Sequence, residues 1–229
     1  MNSFMISFLI PFVITLSSSI SAAPSSSFNV IINEKLDEVI FDVVRENRNE
    51  IEVVKLPSHS SVSSVKVGPV NLTAEISFYD IFMNGLTTIR RTGNTYAKRS
   101  SPNGDLLISG KLALGVLDFS LKSRLNLLLF GKEYDLKGRI VHLDLDMGIL
   151  YSKKSESFKL KLLEINEMNG LELKLKDPSL KNRILNYVIE KTLSSFKTIT
   201  KLSIENKLSQ ILNDNVNKSR ILKKLVQEL

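Results

Sequence analysis

The stretch DPSLKNRILNYVIEKTLSSFKTITK, residues 177–201, decides the fold. Asp177 is a good N-cap and Pro178 suits a first helical turn, so a helix starts here. At about 100° per residue, Arg183, Asn186, Glu190, Ser194, Lys197 and Lys201 fall on one narrow stripe. The apolar residues Leu180, Ile184, Leu185, Tyr187, Val188, Ile189, Leu193, Phe196 and Ile199 spread over roughly 240° of the same wheel. A surface helix shows an apolar stripe only a little over about 100° wide. This helix is therefore wrapped by the rest of the chain. Two readings stay open: a plain core helix, or one whose apolar arc partly lines a cavity for an apolar ligand.

Working outward, the apolar face after Lys201 moves to Ile204, Leu208, Ile211 and Leu212. That shift predicts a kink or break between Thr200 and Glu205. Asn213-Asp214-Asn215 is a poor helical run. Ser219 to Leu229 is a short basic amphipathic ending. At the other end of the chain, Phe28, Ile31, Ile32, Leu36, Val39, Ile40, Val43 and Val44 recur at helical spacing and predict a helix over about residues 28–47. Phe41 stands among the acids of its polar face, and a loop is expected to cover it.

From Ile51 to Lys176 the period changes to two. Val70, Leu72, Ala74, Ile76 and Phe78 alternate with polar residues, and the apolar parity then flips to Tyr79, Ile81 and Met83. A flip without a turn signal is the mark of a β-bulge, which bends the strand. A second flip follows Ile140, with Val141, Leu143, Leu145 and Met147 taken as inward. Phe158, Leu160 and Leu162 are assigned to one face of a later strand. Gly85, Gly93-Asn94, Pro102-Asn103-Gly104, Gly131-Lys132, Lys153-Lys154-Ser155 and Asn169-Gly170 read as turns. Proline is absent between Pro102 and Pro178, as central strands require. The fold class is α+β: a strongly curved antiparallel sheet wrapped around a long C-terminal helix, with an N-terminal helix beside it.

The 229 residues carry a net charge of +7, with no cysteine and no tryptophan. That excludes a disulfide, a thiolate nucleophile and a zinc–sulfur site. Residues 1–22 hold an apolar run from Phe4 to Ile14 followed by small residues, the form of a secretory signal peptide cleaved after Ala22. Residues 23–229 are then expected to be one secreted, extracellular domain.

Motifs for hydrolases, nucleotide-binding loops and zinc proteases are missing. His142, Asp144 and Asp146 share a strand face, but by parity they point outward into solvent. His59 follows Pro57 in what reads as a loop. The expectation is a protein that is not an enzyme and takes no cofactor or metal. Arg90-Arg91, Lys98-Arg99 and Lys153-Lys154 are scattered and not interleaved with aromatics, which argues against a nucleic-acid partner. Asn71-Leu72-Thr73 and Asn217-Lys218-Ser219 fit the glycosylation pattern, so Asn71 and Asn217 are candidate acceptors.

Lys55-Leu56-Pro57-Ser58-His59-Ser60 follows the first helix. A long strand then runs to Gly85-Leu86, Arg91-Thr92-Gly93 comes next, and Asp177-Pro178 opens the last helix. This order resembles the group-seven mite allergens over about residues 28–212. That family is similar to the tubular lipid-binding superfamily, which includes bactericidal/permeability-increasing proteins and the arthropod takeout and juvenile-hormone carriers. The resemblance implies a super-roll, with an apolar groove between a long helix and curved sheet. Hormone carriers and takeout proteins share an N-terminal disulfide, which a chain without cysteine lacks, so the resemblance is to the allergen-like branch. The expected function is a secreted carrier of a lipid or other hydrophobic small molecule. Val39, Val43, Phe119, Leu121, Leu185, Ile189 and Phe196 are the candidate lining residues. The alternative is recognition of an anionic microbial or membrane surface through Arg220, Lys223 and Lys224.

Overall fold

The computed structural model describes residues 26–67, 69–100, 104–127, 130–176 and 183–227. Residues 1–25, where the leader is expected, lie outside that set, as do Asp177 to Asn182 at the expected helix start.

Helix α1 (Ser26–Glu46) is followed by a single turn, α2 (Arg48–Ile51). Ten antiparallel strands come next: β1 (Val53–Leu56), β2 (His59–Val67), β3 (Val70–Asn84), β4 (Arg90–Arg99), β5 (Leu106–Leu114), β6 (Leu117–Leu127), β7 (Phe130–Ile140), β8 (His142–Ser152), β9 (Ser157–Asn169) and β10 (Glu172–Leu175). Helices α3 (Arg183–Val216) and α4 (Arg220–Gln227) close the chain. The strands form two curved sheets. One is ordered β1-β3-β6-β7-β10, with β2 also on β3; the other is ordered β4-β5-β8-β9.

Four connections carry the chain between the sheets. They run through Gly85 and a 3-10 turn at Leu86–Thr88, through Gly115-Val116, through Val141, and through Gly170-Leu171. Gly85 has φ +108°, and a Cβ there would lie 2.4 Å from the Val116 carbonyl oxygen of the neighbouring crossing. Only glycine allows two crossings to approach so closely.

The first parity flip is a bulge. The β3–β6 register slips between Tyr79 and Phe82, and Asp80 sits there with φ 48°. The second flip has a different cause: Ile140 ends β7, Val141 is an exposed connector, and His142 opens β8 in the other sheet. Val141 is therefore not an inward residue. Several turn readings are corrected too. Gly93 and Asn94 lie inside β4, where the register slips between Thr92 and Tyr96. Gly131 and Lys132 are paired within β7 with Asn126 and Leu125. Leu162 is exposed, because a slip in the β8–β9 register puts Lys161 out of pairing and turns Leu162 to the outer face opposite Gly148. Ile31 is exposed as well, and no loop covers Phe41: it is 63% exposed, with the Arg45 guanidinium 5.7 Å from its ring centroid.

The long helix does not break between Thr200 and Glu205; it runs unbroken to Val216. Its buried residues explain why. Val188, Thr192, Phe196, Thr200, Ile204, Leu208, Leu212 and Val216 are all buried and recur every fourth position. Four residues overshoot one turn by about 40°, so this stripe winds roughly 280° around the helix over its length. A face that rotates in sequence is a helix enclosed from different sides along its axis. It needs no kink.

Polar side chains fix the helices to the edges of the four-stranded sheet. On α3, Glu205 Oε1 accepts from the Ile165 N–H at 2.7 Å, Asn213 Oδ1 from Leu160 at 3.2 Å and Asn217 Oδ1, just past its end, from Phe158 at 3.1 Å. At the opposite edge, Asn33 Oδ1 of α1 accepts from the Thr95 N–H of β4 at 2.8 Å, and Arg91 forks onto the Asp37 carboxylate at 2.9 and 2.7 Å. The expected weakness at Asn213-Asp214-Asn215 is thus offset by tertiary bonds. Exposed strand edges pair with other chains unless covered.

Glu205→Ala should cost about 1–3 kcal/mol, because it strips a partly buried N–H of its acceptor. Asn213→Ala should cost less, since its bond is exposed to solvent. Urea unfolding of both variants checks the ranking, and the reverse order would refute the edge-covering role.

Candidate functional site

The interior is one continuous apolar cluster shared by both sheets and by α1, α3 and α4. Strand register fixes which side chains enter it from the six-stranded sheet. Phe78, Ile81 and Met83 come from β3, Leu117, Phe119, Leu121 and Leu125 from β6, and Tyr134, Leu136 and Ile140 from β7. Phe196 of α3 stacks edge-on against Phe78, with centroids 5.3 Å apart, and against Phe119 at 6.1 Å. Such pairs add about 0.5–1.5 kcal/mol beyond their burial.

The interior reaches the surface along β10. Leu171, Leu173 and Leu175 pack on the core yet stay partly exposed. Phe119, Gly138 and Leu173 form one row across β6, β7 and β10. A Cβ at Gly138 would fall 2.7 Å from Leu173 Cδ2 and 3.2 Å from Phe119 Cβ. The missing side chain brings the rim residue Leu173 onto the inner aromatic group.

The candidate lining residues with described side chains all belong to this one buried cluster. Phe119, Leu121, Ile189 and Phe196 are all buried in the cluster, and the Phe119–Phe196 contact joins sheet to helix. Leu185 belongs to α3, but its side chain lies outside the described ones. Val39 and Val43 of α1 are buried in the same cluster and also border a cleft of about 270 Å³ between α1 and α4. Asp42, Glu46, Lys218, Arg220 and Ile221 also line this cleft. The sequence reading missed that pairing. Both helices are amphipathic in sequence, but no local pattern says which amphipathic helix meets which.

His59 is not in a loop: it opens β2, paired with Phe78. His142 pairs with Asp144 at 3.1 Å on the outer face, as parity requires. Asn71 is exposed on β3, whereas the Asn217 side chain is engaged with β9. Arg220, Lys223 and Lys224 are exposed, while Leu222 and Leu225 on the same short helix are buried.

Titration is shifted on the outer rows of the six-stranded sheet. Burial first, and neighbouring Glu133 second, raise the Tyr79 phenol. The bond to Asp118 raises Arg139, and the bond from Lys174 lowers Glu172. Arg139 and Glu172, with Asp118 and Lys174, line an outward-facing cleft of about 300 Å³, on the side of the sheet away from the interior. Among the described residues no cluster of His, Asp and Glu could hold a metal ion, and no helix is long and apolar enough to cross a membrane.

Phe196→Ala should cost about 3–5 kcal/mol, as aromatic truncations in cores do. Val39→Ala, which removes far less buried surface than an aromatic ring, should cost clearly less. Chemical denaturation checks both.

A family model described as Group 7 allergen matches residues 31–216, and the chain belongs to that family. Among curated proteins none matches. A solved structure titled "Crystal structure of lipopolysaccharide binding protein" is similar at 12% identity and a TM-score of 0.43. The match covers 87% of this chain and 38% of that one, so the chain spans well under half of that protein's length.

Proposed function

We propose that this member of the Group 7 allergen family is a secreted, non-enzymatic carrier of a lipid or other hydrophobic small molecule. The ligand is held between α3 and the inner face of the six-stranded sheet. The observation that supports this reading is the partly exposed leucine rim of β10, which meets the Phe78–Phe119–Phe196 group across Gly138, where Leu173 fills the place of the missing side chain. An apolar chain entering over Leu173 would gain about 25 cal/mol per Å² of surface removed from water. Phe119, Leu121, Ile189 and Phe196 would line its path, with Leu185 on the same helix. Most of this lining is aliphatic or aromatic, so selectivity by chain shape is broad.

Organic extraction of the purified protein followed by mass spectrometry should yield a lipid, and a fluorescent fatty acid should be taken up. Leu173→Arg, a charge placed on the rim, should reduce uptake by about tenfold or more, the cost of burying a poorly paired charge. The fold should be kept, because Leu173 is already partly exposed. An empty extract together with no uptake would remove the carrier reading.

A second reading is supported by α4, whose buried Leu222 and Leu225 present Arg220, Lys223 and Lys224 outward. Such a helix suits an anionic microbial or membrane surface. Replacing the three basic residues by alanine should abolish sedimentation with phosphatidylserine vesicles, and raising salt should weaken it in the parent protein. Vesicle binding that is indifferent to both would refute this reading.

A further inference from the structure

Strand β10 ends the six-stranded sheet, and among the described residues no strand pairs with its outer side. The edges of the four-stranded sheet are treated differently: α1 bonds to β4 and α3 to β9. One bond fixes how the backbone of β10 is turned. Lys176 N–H donates to the Asp135 carbonyl at 2.9 Å, so Lys176, Lys174 and Glu172 direct their backbone groups at β7. The N–H and C=O groups of Leu171, Leu173 and Leu175 therefore face away from the sheet, a template for another strand. Side chains alternate in the perpendicular sense. The three leucines pack on the core and stay partly exposed, whereas Glu172 and Lys174 are exposed on the outer face.

We propose that this edge pairs with the same edge of a second copy of the chain, antiparallel and in one register centred on Leu173. The run Leu171-Glu172-Leu173-Lys174-Leu175 reads the same in both directions in its leucines, and with opposite charge in its polar residues. Centred on Leu173, it sets Leu173 opposite its own counterpart, Leu171 opposite Leu175, and Glu172 opposite Lys174 of the second copy. Opposite charges directly across a strand pair stabilise it, and like charges do the reverse. A shift one way sets Glu172 against Glu172, and a shift the other way sets Lys174 against Lys174. The charges thus select the centred register. Inside one copy the Lys174 row is unbalanced: Lys174 lies opposite Lys137, whose other neighbour is Ser120. Its Nζ reaches along its own strand to Glu172 at 2.5 Å. Glu172 of a second copy supplies an opposite charge directly across. In the adjacent row Asp118, Arg139 and Glu172 alternate in sign across β6, β7 and β10, and Lys174 of the second copy continues the alternation. Residues opposite one another share a face, so the two leucine rims meet as one apolar strip on the inner side. The contact is short, so the dimer is weak and concentration-dependent. It closes at two copies, because each uses the same edge. It requires no bound ligand and is independent of the carrier reading.

Sedimentation velocity of the full mature protein, from about 1 µM to about 1 mM, tests this. The weight-average mass should rise towards that of two copies and stop there. Glu172→Lys alone and Lys174→Glu alone each turn both attractive pairs into repulsive ones, so each should weaken self-association by about tenfold or more. Both residues are exposed, so the urea midpoints of the variants should stay close to that of wild type. Fluorescently labelled Glu172→Lys protein titrated with unlabelled Lys174→Glu protein should associate as wild type does, since every cross-strand charge pair is then opposite in sign. The double variant carrying both substitutions should do the same with itself. A monomer throughout the concentration range overturns the proposal, and so does growth past two copies. Self-association that neither single variant weakens, or a loss that mixing the two does not restore, overturns it as well.

Discussion

Strand β9 and strand β4 each end the four-stranded sheet with a row of backbone N–H groups that must bond to something. Side chains of two helices take up that role: Asn33 on α1 at one edge, and Glu205, Asn213 and Asn217 on or beside α3 at the other. These bonds set where both helices lie relative to the sheet. From Glu205 to Asn217, one residue past the helix end, the rise is roughly 18 Å, and the seven steps from Phe158 to Ile165 span roughly 23 Å fully extended. The bulge at Lys161 takes up most of that difference. Helix and strand edge therefore run side by side in step.

Once its C-terminal half is tied to β9, α3 must bury its other half against the six-stranded sheet. The stripe at every fourth residue meets both demands, turning steadily from the Phe78 and Phe119 side towards β9. The four crossings between sheets allow this. They let consecutive strands join different sheets with almost no turn, so one apolar interior is walled by both. Gly85 matters here through close backbone approach, whereas Gly138 matters by leaving room for Leu173 beside Phe119.

The enclosure is incomplete at one place. The β9 and β4 edges are covered, but along β10 the inner leucines stay partly open to solvent. The same interior combines tight aromatic packing with polar atoms that lack partners.

The amino-acid sequence by itself determined the alternation of strands, a first bulge shortly after Phe78, the two amphipathic helices and the outward face of His142, Asp144 and Asp146. All of these are periodicities within one segment, and a period of two or 3.6 is written locally. Tertiary structure alone decided the rest. The rotation of apolar residues after Lys201 could mean a kink or a winding stripe, and only the two sheets around α3 resolve it. Asn213-Asp214-Asn215 reads as a poor helical run until β9 supplies a partner for Asn213. Val39 and Val43 share the buried cluster of Phe119, and only the packing of α4 beside α1 adds a cleft next to them. In each case the deciding interaction joins residues far apart in the chain, and no local pattern records it.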